Sequence, residues 1–113
     1  MAALTVQELP ANAGELAVTF DAADVAGDTF ENDSRVFLIV SFGGTPSGNV
    51  VVEGVPAADS GRDGTTTLTA VADTIVMAGP FKSRNWNNSG SVDVTYPSGV
   101  TDINVAAVRY NNP

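Results

Sequence analysis

The sequence predicts an all-β chain folded as a single-domain antiparallel β-sandwich, jelly-roll-like in build. Three observations carry that prediction. Apolar stretches are short, rich in Val, Ile, Thr and aromatic residues, and separated by Gly, Pro, Asn, Asp and Ser, as strands and turns alternate. In Ser91-Val92-Asp93-Val94-Thr95-Tyr96, apolar Val92, Val94 and Tyr96 alternate with Asp93 and Thr95. That period of two gives a strand with one buried and one wet face. At 113 residues, 43% hydrophobic and 16% charged, the chain can build one core and no second one.

Eight strands are expected, over residues 4–9, 16–20, 35–42, 49–54, 66–70, 74–77, 91–96 and 102–109. Residues 1–14 form an N-terminal arm or an edge strand, because Pro10 and Ala11-Asn12-Ala13-Gly14 set them apart from the sandwich domain, 15–113. The third strand is apolar on both alternating sets, Val36, Leu38, Val40 and Phe42 against Phe37 and Ile39. It reads as a central strand, buried on one face and partly covered on the other. At about 1.5 to 3 kcal/mol for each large side chain buried, it supplies a large share of a net stability of about 5 to 15 kcal/mol. The Gly-rich segment 43–48 reads as a hairpin loop, and it lacks the Lys-Ser/Thr ending of a phosphate-binding loop. Asp63-Gly64 is a tight-turn pair, while Pro80 and Pro97 close the sixth and seventh strands. Helix is confined to single turns at 21–25 and 56–60.

Composition narrows the function. The net charge is -8, and the five basic residues, Arg35, Arg62, Lys82, Arg84 and Arg109, are scattered, which argues against nucleic acid as a partner. There is no cysteine and no histidine. Disulfides, thiolate metal sites, Cys-His and Ser-His nucleophile pairs and the common zinc sets are therefore excluded. The first fifteen residues show neither a basic n-region nor a long apolar core, and no apolar run approaches the roughly 20 residues of a membrane helix. The expectation is a product made in a cytoplasm, with no cofactor, no metal, no membrane partner and no enzymatic activity.

Three groups of residues invite a chemical reading. The acidic segment 21–33 holds Asp21, Asp24, Asp28, Glu31 and Asp33, but its spacing does not fit a twelve-residue calcium loop, so it reads as a solvated loop. Glu53 and Asp93 invite comparison with a glycosidase pair; as strand residues they read as outward-facing acids. Trp86, the only tryptophan, lies in the polar stretch Arg84-Asn85-Trp86-Asn87-Asn88. It suits a core cap, an interface anchor or a sugar-stacking platform.

A resemblance adds to this. Asn32-Asp33-Ser34-Arg35-Val36-Phe37-Leu38, then Gly79-Pro80-Phe81, then Asn87-Asn88-Ser89-Gly90-Ser91-Val92-Asp93-Val94-Thr95-Tyr96 and Val105-Ala106-Ala107-Val108-Arg109 resemble the small structural proteins of tailed bacteriophages. In those proteins N-D-G-R-T-F-L precedes G-P-F and Y-N-N-x-D-G-x-V-x-V-T-Y, and the chain closes on V-A-A-x-R. The resemblance spans residues 28–109, with Ser34 where Gly is usual and Trp86 where Tyr is. It implies a capsid decoration, or cement, protein that binds the outside of an assembled head, bridges subunits of the major capsid protein and stabilises the shell. Such a protein resides on the virion exterior and self-associates, as a trimer or alternatively a dimer. Docking is expected through Leu4, Val6 and Leu9 of the N-terminal segment and through Arg84 and Trp86. The alternative is a carbohydrate-binding β-sandwich module on the virion surface with Trp86 as its platform, against which stands an aromatic fraction of 7%.

Overall fold

A computed structural model of the chain describes residues 2–10, 14–54, 65–87 and 90–110, with the backbone alone at Arg84 and Asn85. The described strands are β1 (Ala2–Ala3), β2 (Val6–Leu9), β3 (Asp21–Ala22), β4 (Asp28–Glu31), β5 (Val36–Phe42), β6 (Val50–Glu53), β7 (Thr65–Leu68), β8 (Thr74–Ala78), β9 (Ser91–Thr95) and β10 (Ile103–Tyr110). One helical turn, α1 (Ser83–Trp86), precedes β9. They make an all-β sandwich of two sheets. Sheet A runs β1-β4-β9-β6-β7 and sheet B runs β2-β10-β5-β8, with β3 paired to β10 beside β2.

Period-two patterning builds the core. On β5, Val36, Leu38, Val40 and Phe42 are buried while Phe37, Ile39 and Ser41 are half-buried. Pairing in register sets Val40 beside Val105 and Val76, so the inner row continues across the sheet. Sheet A answers with Phe30, Val92, Val94, Val50, Val52 and Leu68, all buried in the same cluster. Phe81 closes one end, its ring 5.9 Å from that of Phe30.

Not all pairings are antiparallel. β1 runs parallel to β4 and β2 parallel to β10, so both sheets are mixed. The cause is the path of residues 2–9, which supply an edge strand to each sheet in turn and cross between them at Leu4. There the Leu4 N–H donates to the Thr29 carbonyl at 2.7 Å and its side chain is only 8% exposed.

Four local expectations are corrected. Residues 16–20 form no strand, although Leu16, Val18 and Phe20 do alternate as half-buried against exposed Ala17 and Thr19. The acidic segment 21–33 is not a solvated loop, since it contains β3 and β4. The turn expected at 21–25 starts instead with β3, whereas 56–60 and Asp63-Gly64 lie outside the described residues. The segment 43–48 is no hairpin: β5 belongs to sheet B and β6 to sheet A, so it carries the chain from one layer to the other. Asp102 anchors that crossing by accepting the Thr45 N–H at 2.7 Å.

Candidate functional site

The sequence segments 32–35, 79–81 and 87 converge in one corner. Asn32, buried, donates from Nδ2 to the Phe81 carbonyl at 2.8 Å and to Asn87 Oδ1 at 2.7 Å, and Asn87 Nδ2 donates back to the Asn32 carbonyl at 2.8 Å. Ser34 sits at φ 74, a conformation that favours glycine, and its Oγ accepts the Ser83 N–H at 3.0 Å at the start of α1. The corner seats Trp86, whose ring meets Phe81 edge-on at 5.0 Å and packs against the core cluster. Trp86 thus caps the core. The Arg84 side chain lies outside the described residues.

Of the remaining expected docking residues, Leu4 is in the core and Val6 packs against it. Their need for a partner surface is met inside the chain. Leu9 is different: it is 37% exposed and lies on the outer face of sheet B.

That outer face is apolar. Phe37 and Ile39 of β5 point outward, as do Ile75 and Met77 of β8, which are 67% and 61% exposed. Cross-strand neighbours complete it: Val108 lies beside Phe37, Met77 beside Ile39, and Leu9 beside Tyr110. The Phe37 and Tyr110 rings stand 5.7 Å apart. Over them runs the segment 14–20, which contributes Leu16 and Val18 to an apolar groove of about 230 Å³. This strap belongs to no ladder. Its attachment is Gln7, outward-facing on β2, whose Nε2 donates to the Thr19 carbonyl at 2.8 Å and whose Oε1 accepts the Thr19 N–H at 2.9 Å. One side-chain amide does here what a strand partner does elsewhere.

Sheet A presents the opposite character outward. The row Thr29, Asp93, Glu53 and Thr65 runs across four strands in register, beside Thr95 and Val51. Glu53 and Asp93 therefore face each other directly, and Thr95 Oγ1 donates to Glu53 Oε2 at 3.1 Å. Inside the same sheet, Asp28 is 1% exposed and accepts the Tyr96 hydroxyl at 2.6 Å and the Asp24 N–H at 3.2 Å. Burial, joined by the hydrogen bond and charge of Asp28, pushes the Tyr96 phenol far above its ordinary 10.0.

At one end of the sandwich, Arg109 bridges Glu8 at 2.8 Å and Asp33 at 3.2 Å, beside a cavity of about 410 Å³ that includes Thr5, Thr29, Glu31 and Ser91. Burial opposes the charge of Asp33, but Arg35 and Arg109 outweigh it and hold the carboxyl below 3.8. The arginine is already engaged by carboxylates, so this cavity offers no free cation to an anionic ligand. Among the described residues, no group of three or more Asp or Glu is placed to hold a metal ion, and no helix is long and apolar enough to cross a membrane.

Of the docking residues expected from sequence only Leu9 lines the groove, and the contributions of β5, β8, β10 and the strap were missed. A signal was present in Thr74-Ile75-Val76-Met77-Ala78, where Ile75 and Met77 occupy the alternate positions a polar residue takes on a wet face. No family model, curated protein or solved structure matches the chain.

Proposed function

We propose that this is a noncatalytic docking protein, a phage capsid decoration protein that seats the outer face of sheet B on the outside of an assembled head and bridges major capsid protein subunits. The observation that carries the docking role is the exposed apolar surface of Leu9, Ile75 and Met77 around the groove. Water-exposed apolar area of this kind gains free energy when a partner covers it, and contiguous patches mark interaction sites. The capsid as partner rests on the resemblance over residues 28–109. The corner formed by 32–35, 79–81 and 87 supports a common build, since those segments meet in one hydrogen-bonded unit. A sugar platform at Trp86 is less favoured, because its ring is engaged by Phe81.

The test is cosedimentation of the chain with assembled heads and with unassembled capsid subunits of the virus that encodes it. Binding to heads alone is expected, and Leu9→Asp lowers occupancy while leaving the melting temperature close to the parent's. Equal affinity for free subunits, or unchanged occupancy of Leu9→Asp, argues against the reading.

A further inference from the structure

β8 ends sheet B. β5 pairs with one side of it, and among the described residues no strand pairs with the other. An open edge offers a row of N–H and C=O groups to any extended chain, so edges are ordinarily kept short, charged or interrupted by proline. β1 has two residues, and β2 carries Glu8 and is followed by Pro10. β7 begins Thr-Thr-Thr. β8 is protected only beyond its end, where Pro80 follows Gly79: its five residues, Thr-Ile-Val-Met-Ala, carry no charge and no proline, and Ile75 and Met77 are about two-thirds exposed.

We propose that β8 pairs with β8 of a second copy, antiparallel about a two-fold axis at Val76, joining two B sheets into one. The strand is self-complementary in that register. Thr74 faces Ala78, Ile75 faces Met77 and Val76 faces itself, so every cross-strand pair is uncharged. Because the same patch serves both partners, the contact closes at two copies.

Charge selects a second copy on this strip. Each chain carries -8, so two copies repel over most of their surfaces and approach where charge is absent. The nearest carboxylate, Asp73, faces Gly79 of the second copy in this register. The two Asp73 residues then lie about six residue steps apart, about 20 Å at about 3.4 Å per residue. That exceeds the screening length of about 8 Å at physiological salt. The joined sheet carries two grooves on one side, so the dimer adds avidity to any docking by that face. The pairing itself does not depend on what covers the groove.

Sedimentation of the full chain over a range of concentrations, at low and high salt, tests the pairing. A dimer that tightens with salt is expected. I75K/M77K sets like charges face to face across the axis and weakens the dimer about tenfold or more. I75K/M77E puts the lysine introduced at 75 opposite the glutamate introduced at 77 of the second copy and recovers most of that loss. Both variants keep a melting temperature close to the parent's, since the altered side chains are exposed. A monomer at every concentration, a trimer, a dimer loosened by salt, a dimer indifferent to I75K/M77K, or equal loss in both variants overturns the proposal. Each of these outcomes is read without capsids, so it leaves the head-binding test to stand or fall by itself.

Discussion

The outer faces of the two sheets are built on the same period of two and end in opposite chemistry. Sheet A turns Thr29, Ser91, Asp93, Thr95 and Glu53 outward, a polar row that suits contact with water. Sheet B turns Phe37, Ile39, Val108, Ile75 and Met77 outward and folds the strap 14–20 over part of them. Both sheets contribute to one core, so stability alone accounts for only the inner rows. The second apolar layer of sheet B is surplus to a two-sheet sandwich, and the strap covers it incompletely. What separates a core residue from an outer-face residue here is therefore the side of the sheet, not its hydrophobicity.

The largest effect expected from breaking that comparison lies along sheet B itself. Leu38→Ala, in the inner row, costs about 2 to 5 kcal/mol in denaturant unfolding, whereas Met77→Ser, in the outer row, costs about 0.5 kcal/mol or less. Similar losses for the two would mean that the outer face belongs to the core. On the sheet A side, Tyr96→Phe leaves the buried Asp28 carboxylate without its hydroxyl donor and costs about 1 to 3 kcal/mol. The same pair sets a pH dependence. Folded Tyr96 keeps its proton well above 10.0 while the unfolded chain releases it there, so stability falls as pH rises past 10.0. Tyr96→Phe flattens that fall, which alkaline urea titrations read directly. The strap gives a smaller effect than the loss of either inner residue: Gln7→Ala removes its two hydrogen bonds at a cost of about 1 kcal/mol. Faster hydrogen exchange at the Thr19 amide and greater binding of an apolar dye would sharpen the contrast between the faces. An unchanged amide would show that Leu16 and Val18 hold the strap unaided.

Strands β5, β6 and β9 were legible because their inward positions are aliphatic or aromatic without exception through Val36 to Phe42, Val50 to Val52 and Val92 to Val94. β4 was not, because its inward positions are Asp28 and Phe30. The partner that makes Asp28 an inner residue, Tyr96, is 68 positions away, and no local pattern announces it. The strap shows the converse failure. Leu16, Val18 and Phe20 have a strand's alternation, but their backbone meets a glutamine side chain in place of a ladder. In 43–48 the turn residues were evident, yet glycines do not encode which sheet receives the next strand. Of the expected docking residues, Leu9 reaches the groove while Leu4 turns into the core. A five-residue separation decides between those fates because the chain changes sheets between them.

The placement of β10 also governs the order in which the molecule can be made. This strand pairs with β2, β3 and β5, and the ion pair at its far end joins residues 101 positions apart. During synthesis at about 5 to 20 residues per second, β5 waits several seconds with one apolar edge bare before residues 103–110 leave the ribosome. Closing so long a loop costs entropy before any contact repays it, which places folding among the slow, β-rich cases. A nascent chain arrested just short of β10 would hold Val36-Phe37-Leu38-Ile39-Val40 without its neighbour, a segment apt to pair with other chains. Premature termination there would leave an aggregation-prone fragment.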